Sequence, residues 1–209
     1  MTDIRVFPLG MLQTNCYLLA HAGRAVAVDP GGDPGPVLAF LTDAGLRLER
    51  ILNTHLHFDH IAGNAALSRA TGAPIQASEA DRFLLDNWVG RGGMMGMPVV
   101  EDFHFENLGP GEMDLLGHTC QVLLTPGHSP GSLTFHVPDL EAAFVGDVIF
   151  KRSIGRTDFP GGDTQTLQRS IQDVIFTLPP DTRLYPGHGP MTTAGDEKTH
   201  NPFFGAMSI

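Results

Sequence analysis

Cysteine, tryptophan and basic residues are scarce in this chain. It has two cysteines and one tryptophan in 209 residues, and its 13 lysines and arginines are outnumbered by 23 acidic residues. Cys16 lies in an apolar run and Cys120 precedes another, which predicts reduced core thiols and disfavours both a disulfide framework and a catalytic thiol. The net charge of −10 repels phosphate backbones, so a nucleic-acid partner is not expected.

Long apolar stretches are lacking as well. No segment approaches the roughly 20 apolar residues that a membrane-spanning helix needs, so a membrane partner is not expected either. The first ten residues, MTDIRVFPLG, have no basic stretch followed by an apolar run and do not resemble a secretory signal. Together with the reduced cysteines, this predicts a cytoplasmic protein.

Short apolar runs bounded by Gly, Pro, Asp or His recur along the chain and predict strands. They cover residues 16–20, 25–28, 50–53, 75–77, 121–124, 133–137, 142–145 and 182–185. Helical periodicity is found over residues 34–44, 61–71, 79–89 and 164–177, the last with Asp163 as a candidate N-cap. This order predicts sheets packed between helices, and the lack of a linker-like break predicts one domain over residues 1–209.

One segment, residues 90–98, has no usable periodicity. It reads Gly-Arg-Gly-Gly-Met-Met-Gly-Met-Pro. A mobile surface connection and a flexible apolar wall beside an active site are both consistent with such a composition.

The segment His55-Leu-His57-Phe-Asp59-His60 places four possible metal ligands within six residues. It follows a strand-like run, and residues two apart in an extended chain point to the same side, so His55 and His57 can converge on one ion. After the chain turns into a helical pattern, Asp59 and His60 can face a second ion. Imidazole and carboxylate groups suit zinc, and also iron or manganese. The segment therefore predicts a metal centre.

Three further ligand candidates stand where strand-like runs end. His128 follows Thr-Pro-Gly, Asp147 follows Val-Gly, and His188 follows Tyr-Pro-Gly. A small residue before each candidate allows a sharp turn, and strand ends are where α/β sheets place their sites. Asp147 is the natural bridging candidate, because a carboxylate has two oxygens. The remaining histidines are interpreted as surface or structural residues: His21, His104, His118, His136 and His200.

The series THLHFDH, TPGHSPGS, GD and PGHGP resembles, in that order, the motif series of the metallo-β-lactamase superfamily. The runs GDVIFKRSIGRTDFPGGD and PGHGPMTTAGDEKTHNPF are similar to those of short glyoxalase II-type (hydroxyacylglutathione hydrolase-like) enzymes. The resemblance implies an α+β fold, the αββα four-layer sandwich, with two divalent metal ions, zinc being favoured over iron or manganese. It assigns His55, His57 and His128 to a first ion, Asp59, His60 and His188 to a second, and Asp147 to both.

The same resemblance implies hydrolysis of a small-molecule thioester such as S-lactoylglutathione to a hydroxy acid and a free thiol. The expected nucleophile is a water that bridges the ions, and Asp59 and Asp147 are the expected catalytic carboxylates. Arg156 falls where longer family members place a glutathione-contacting lysine and could grip a carboxylate; a loop salt bridge to Asp158 is the equally weighted alternative. Ser129 and Ser132 flank a ligand outside any nucleophile elbow, so they are interpreted as residues that shape the loop.

Two departures from the longer enzymes leave the acyl group and the thiol carrier open. Asp158 stands where they have a tyrosine, and the sequence ends soon after PGHGP, where they continue into a helical extension. The oligomeric state is not predicted.

Other functions fit parts of the pattern. A persulfide dioxygenase of the same fold, with a single iron, would need only His55, His128 and Asp147, and residues 156–159 resemble that branch too. A lactonase or another ester hydrolase could use the full ligand set, whereas a β-lactamase would be expected to carry an export signal. A non-catalytic metal-binding module would have a closed ligand shell.

Overall fold

A computed structural model of the chain describes residues 2–94 and 96–204. The first sheet consists of β1 (Asp3–Leu9), β2 (Thr14–His21), β3 (Arg24–Val28), β4 (Arg47–Leu52), β5 (Ile75–Ala77) and β6 (Glu106–Asn107), side by side in that order. The pairs from β1 to β3 are antiparallel, and those from β3 to β6 are parallel. The parallel pairs bring the carboxyl ends of β3, β4 and β5 to one edge of the sheet.

The later strands are β7 (Gly111–Leu115), β8 (His118–Leu124), β9 (Leu133–Val137), β10 (Ala142–Gly146), β11 (Ile149–Phe150), β12 (Ser153–Ile154), β13 (Arg183–Pro186) and β14 (Thr192–Thr193). Six of them form a second sheet in the order β14-β13-β10-β9-β8-β7, while β11 and β12 form a small hairpin. β10 and β13 are parallel, so the residues that follow them, Asp147 and His188, leave the sheet at the same end.

The α-helices are α1 (Gly35–Asp43), α2 (Phe58–Ile61), α3 (Asn64–Thr71), α4 (Trp88–Arg91), α5 (Thr164–Asp173) and α6 (Ala194–His200). Segments of 3₁₀ helix cover Glu79–Asp86, Pro138–Leu140 and Ile175–Thr177. α5 begins at the expected N-cap, where the Asp163 side chain accepts a hydrogen bond from the Thr166 N–H at 2.7 Å.

Three of the expected helices are interrupted, and the one expected over residues 164–177 continues beyond α5 only as the 3₁₀ segment Ile175–Thr177. The one expected over residues 61–71 is divided into α2 and α3, because the Gly63 N–H bonds the Pro30 carbonyl at 2.7 Å. A Cβ at position 63 would lie 2.3 Å from the Gly32 carbonyl oxygen, so the chain needs glycine at this close approach. The one expected over residues 79–89 is a 3₁₀ segment followed by α4. There the Asn87 side chain accepts from the Val89 N–H at 2.9 Å and caps a new helix.

Three apolar clusters hold the layers together. Leu41 of α1 and Leu67 of α3 pack against the outer face of the first sheet. Tyr17 and Phe135 belong to the cluster between the two sheets, and Leu167 of α5 packs against the outer face of the second. The predicted α+β fold, an αββα four-layer sandwich, is confirmed.

The two cysteines are buried and unpaired, as expected. Burial raises the pKa of both thiols, that of Cys120 to about 12, which leaves them protonated and unreactive at neutral pH. Among the described residues, no helix has the length and apolar character that a membrane crossing requires.

Candidate metal centre

Three buried histidines from two loops form the first group of possible ligands. His55 and His57 follow β4, His128 follows β8, and one nitrogen of each lies within 4.8 Å of the others. The Nε2 atoms of His55 and His128 are 3.2 Å apart. Burial, together with the neighbouring histidines, lowers the pKa of His55 well below its usual value and that of His57 to about 3. His55 and His57 are therefore neutral imidazoles at neutral pH, the form that binds metal ions.

The second group, Asp59, His60 and His188, combines a carboxylate with two histidines and has the same 4.8 Å spread. The Asp59 Oδ2 atom lies 3.1 Å from the Nε2 of His188 and 3.6 Å from the Nε2 of His60. Burial opposes the charged form of His60, but Asp147, Asp59 and Asp29 raise its pKa well above the usual value. The pKa of His188 is also raised, since its hydrogen bond with Asp59 and the charge of Asp147 outweigh burial.

The carboxylate of Asp147 lies between these two groups. Its Oδ1 is 3.4 Å from the Nε2 of His60, and its Oδ2 is 3.7 Å from that of His128 and 3.6 Å from that of His188. Burial favours the neutral carboxyl, but the nearby histidines, His60 above all, lower its pKa below the usual range. The side chain is therefore an anion within reach of ions at both groups.

Gly187, which precedes the candidate ligand His188, allows the side chains of Asp147 and His60 to lie close to the backbone. A Cβ at this position would lie 2.2 Å from the Oδ1 of Asp147 and 2.5 Å from the Cε1 of His60. The sharp turn expected before Asp147 is also present, because Gly146 has a φ of 52°. The small residues seen in the sequence therefore bring the ligand side chains together.

Several nitrogen and oxygen atoms of the candidate ligands have no hydrogen-bond partner among the described residues. They are the Nε2 of His57, the Nε2 of His60 and the Oδ1 of Asp147, all of them buried. Unpaired buried polar atoms are costly, and their convergence within two small groups of nitrogen and oxygen donors matches what divalent cations need. The donor set fits metal ions.

Asp29, which follows β3, was not identified from the sequence as part of the site. Its buried carboxylate accepts hydrogen bonds from the N–H of Thr54 at 2.8 Å, the Oγ1 of Thr54 at 2.6 Å and the Nδ1 of His60 at 2.9 Å. The Oγ1 of Thr54 in turn accepts from the Nδ1 of His55, 3.0 Å away. Asp29 thus leaves the Nε2 atoms of two histidines, one from each group, free to bind a metal. A lone Asp after a strand carries no motif that could have revealed this.

Asp81, in the 3₁₀ segment Glu79–Asp86, is the second residue that the sequence did not reveal. Its buried carboxylate accepts from the N–H of Leu56 at 3.2 Å, the Oγ of Ser129 at 2.7 Å and the N–H of Gly131 at 2.6 Å. Leu56 stands between His55 and His57, and Ser129 follows His128. Asp81 therefore ties together the two loops that carry the first group. Ser129 and its partner Ser132, 2.8 Å away, shape this loop as expected.

Arg156 lies at the rim of the centre and is paired with Asp158. The Nε and one terminal nitrogen of its guanidinium donate to the two Asp158 oxygens, each at 2.7 Å. The guanidinium also stacks over the ring of Phe159, 3.7 Å from its centroid. The Arg156 carbonyl accepts from the Nδ1 of His128 at 2.7 Å, which fixes that ring. The expected loop salt bridge is thus formed, and the arginine also faces the cavity at the centre.

Two openings meet at the centre. A cavity of about 390 Å³ is lined by ligand candidates from both groups and by Arg156, and a groove of about 330 Å³ shares Phe58 and Asp59 with it. Gly96 and Pro98, from the segment 90–98, line the groove; Met95 lies outside the described residues. Five of the seven candidate ligands therefore line a cavity that opens to solvent, in contrast to a closed structural site.

The other histidines lie away from both ligand groups. His21 and His118 share the Thr2 hydroxyl at 2.9 and 2.8 Å, His136 bonds Gln121 at 2.9 Å, and His200 bonds Asp196 at 3.0 Å. His104 lines a separate surface cavity. Their places fit the structural and surface roles expected for them.

Comparison with known families agrees with the fold. Residues 9–188 match the family model described as the metallo-beta-lactamase superfamily. The chain belongs to this superfamily of metal-binding hydrolases.

Relatives that are similar over their full length are found in bacteria. The Bacillus subtilis protein named "Probable metallo-hydrolase YqgX" is 35% identical over 98% of this chain and 99% of its own length. The Haemophilus influenzae protein named "Hydroxyacylglutathione hydrolase GloC" is 35% identical over 99% of this chain and 100% of its own.

Three solved structures are similar over nearly the whole chain. The BLEG-1 B3 metallo-beta-lactamase has a TM-score of 0.91 at 37% identity, covering 98% of this chain and 100% of that one. TTHA1623 in a di-iron-bound form has a TM-score of 0.85 at 39% identity, with 95% and 99% coverage. ETHE1 from Myxococcus xanthus has a TM-score of 0.74 at 30% identity, with 96% and 83% coverage. The names of these proteins span more than one activity.

Proposed function

We propose that the protein is a dinuclear metal hydrolase of thioesters, with S-lactoylglutathione as the leading candidate substrate. The observation that carries the proposal is the pair of complete ligand groups with the Asp147 carboxylate between them, beside an open cavity. The relative named hydroxyacylglutathione hydrolase, similar over its full length, supports this reaction class. The reaction adds water across the C–S bond, so the acyl carbon gains a hydroxyl and the sulfur gains a proton.

In this proposal each ligand group would hold one ion: His55, His57 and His128 the first, and Asp59, His60 and His188 the second, with Asp147 available to both. When bound, the two divalent ions, zinc being favoured over iron or manganese, supply Lewis acidity and lower the pKa of water toward 7. Asp59 and Asp147 are the catalytic carboxylates, placed at the cavity floor to hold a proton of the attacking water. Asp59 is held in place by the Thr14 hydroxyl, which donates to its Oδ2 at 3.1 Å.

Arg156 is proposed to bind a carboxylate of the substrate at the rim of the cavity. Because Asp158 already occupies its guanidinium, a substrate would share or displace this pair, which predicts a modest contribution to affinity. The proposed partner is a small-molecule thioester, and nucleic acid and membranes are not expected partners. We also propose that residues 1–209 act as one domain in the cytoplasm, in keeping with two buried, unpaired cysteines.

The second candidate is oxygen-dependent persulfide oxidation with a single iron. This candidate is considered because the chain is similar to ETHE1 at 30% identity and to TTHA1623, solved in a di-iron-bound form, at 39% identity. Such an enzyme would use His55, His128 and Asp147 and would have no need for His60 or His188. The complete second group favours hydrolysis.

The test combines metal analysis with paired assays. Protein loaded with zinc, iron or manganese is expected to hold about two ions and to release thiol from S-lactoylglutathione without oxygen. Thiol release should fall with His188→Ala, while His200→Ala, which removes an exposed histidine outside the centre, is the matched control. Oxygen uptake with glutathione persulfide, without any thioester cleavage, would replace this function by the second candidate. Cleavage of a β-lactam or a lactone, without cleavage of a thioester, would also contradict the proposed function.

A further inference from the structure

The cavity at the metal centre is mostly apolar away from its ligand side. Four aromatic side chains, Phe58, Trp88, Phe150 and Phe159, line it and are named here the aromatic wall. Its volume of about 390 Å³ lies in the range of small-molecule sites, which are largely apolar with a few placed polar groups. The ligand side would hold the reacting carbonyl, so the wall faces another part of the substrate.

The aromatic wall is continuous with the ligands. The ring of Phe159 meets that of His57 edge to face, with centroids 5.7 Å apart, and meets that of Trp88 in the same way at 5.2 Å. Trp88 remains 42% exposed at the mouth of the cavity. An indole left partly exposed beside reactive groups is typical of a binding surface, because large aromatics supply contact area at low entropic cost.

Charge is nearly absent from this side of the cavity. Arg156 is the one lysine or arginine among the described residues that line it, and its guanidinium is neutralised by Asp158 and stacked on Phe159. A substrate arm that carries carboxylates therefore finds one shared cation. An uncharged ring, in contrast, finds aromatic partners on several sides.

We propose, building on the thioester hydrolysis proposed above, that the aromatic wall receives an uncharged aromatic group of the substrate. Within the class of thioesters, those with a ring on the acyl or the thiol arm should thus be cleaved more efficiently than their ring-free analogues, S-lactoylglutathione included, and Trp88 is a specificity-determining residue. Apolar burial and ring contacts favour such a substrate over its ring-free analogue in binding and in the transition state.

The kinetic test compares matched thioesters on metal-loaded protein. Mandeloyl and lactoyl thioesters of the same thiol differ by a phenyl in place of a methyl on the acyl arm. S-benzyl and S-ethyl thiolactates differ in the same way on the thiol arm. We expect a gain in kcat/KM of at least about tenfold with the ring on one arm, and the arm that shows it identifies the part bound. Trp88→Ala should bring this ratio toward one, whereas Phe203→Ala, which removes a 50% exposed aromatic outside the cavity, should preserve it.

Binding can be measured independently, because Trp88 is the sole tryptophan of the chain. Mandelate is expected to change the tryptophan emission at concentrations where lactate, with the same charge, does not. Equal rates with and without the ring on both arms, or equal emission responses to both acids together with equal rates for the S-benzyl and S-ethyl thiolactates, would overturn the inference while leaving thioester hydrolysis intact. If no thioester is cleaved but mandelate, and not lactate, changes the emission, thioester hydrolysis is contradicted while binding of an aromatic group at the aromatic wall is supported.

Discussion

The two ligand groups are built from similar residues but differ in charge and burial. His55, His57 and His128 are all at most 3% exposed, and burial together with the neighbouring histidines lowers the pKa values of His55 and His57. The second group contains a carboxylate, and its His188 side chain is 29% exposed. Its histidines have raised pKa values because acidic neighbours stabilise the charged form. The first group is thus a preorganised, fully buried histidine site, and the second is an acidic, more open site that competes with protons for its metal.

The supports of the two groups differ as well. Asp81 bonds the backbone and Ser129 of the loops that carry the first group, so it fixes where the ligand loops lie. Asp29 bonds a ring nitrogen of His60 directly and reaches His55 only through Thr54, so it fixes how ligand rings are turned. Loop placement and ring orientation are separate requirements of a metal site. Substitutions can therefore test the two groups one at a time.

The largest effect is expected from Asp147→Ala, which removes the contact that the groups share. Both ions should bind more weakly, and turnover should fall by more than about 100-fold, the upper range for loss of an outer partner of a ligand. Metal content and thioesterase rate are the measurements. Asp43→Ala, at an exposed acid far from the centre, should leave both unchanged. Loss of one ion alone would place Asp147 in a single group and would contradict its bridging position.

A smaller and one-sided effect is expected from Asp81→Asn. The amide offers one acceptor oxygen where the carboxylate receives three donors, so the loops of the first group should loosen and its ion should bind about 10- to 100-fold more weakly. Chelator competition on the cobalt-loaded protein measures both ions, and His57→Ala and His188→Ala provide the reference spectra for loss of each. Equal weakening of both ions would show that Asp81 supports the whole fold and not one group.

The pH at which each ion is released should separate the groups again. Because the pKa values of His60 and His188 are raised, protons occupy these ligands at a higher pH than they occupy His55 and His57, whose pKa values are lowered. On acidification from neutral pH, the ion of the second group should therefore leave first. Metal retained after dialysis at stepwise lower pH, read with the same cobalt spectra, measures the order. If the first group released its ion before the second did, the result would contradict the difference in histidine pKa between the two groups.

The sequence predicted the ligand groups but not their supports, for a physical reason. Ligands such as His55 and His128 come in short motifs whose residue types are uncommon together. Asp29 and Asp81, in contrast, act through contacts between segments that are distant in the chain, and an isolated aspartate after a strand is no signal. The same limit applies to the fold. The buried strands were predicted from apolar runs, whereas β1, with six exposed or partly exposed residues before its one buried residue, and the polar helix α6 give no periodic apolar pattern.

The smallest effect is expected from Arg156→Ala, which tests whether this side chain at the rim of the cavity affects metal binding by the first group. His128 bonds the backbone carbonyl of Arg156, and the substitution retains that carbonyl, so the content of both ions should stay near normal. The side chain is exposed and already paired with Asp158, so its loss should raise KM for S-lactoylglutathione a few-fold and leave kcat nearly unchanged. Asp158→Asn is the matched variant, because it frees the guanidinium, and it should lower KM for the same carboxylate-bearing substrate. Loss of metal or of folding in Arg156→Ala would show that the ion pair shapes the loop around His128, and the rim would then belong to the first group.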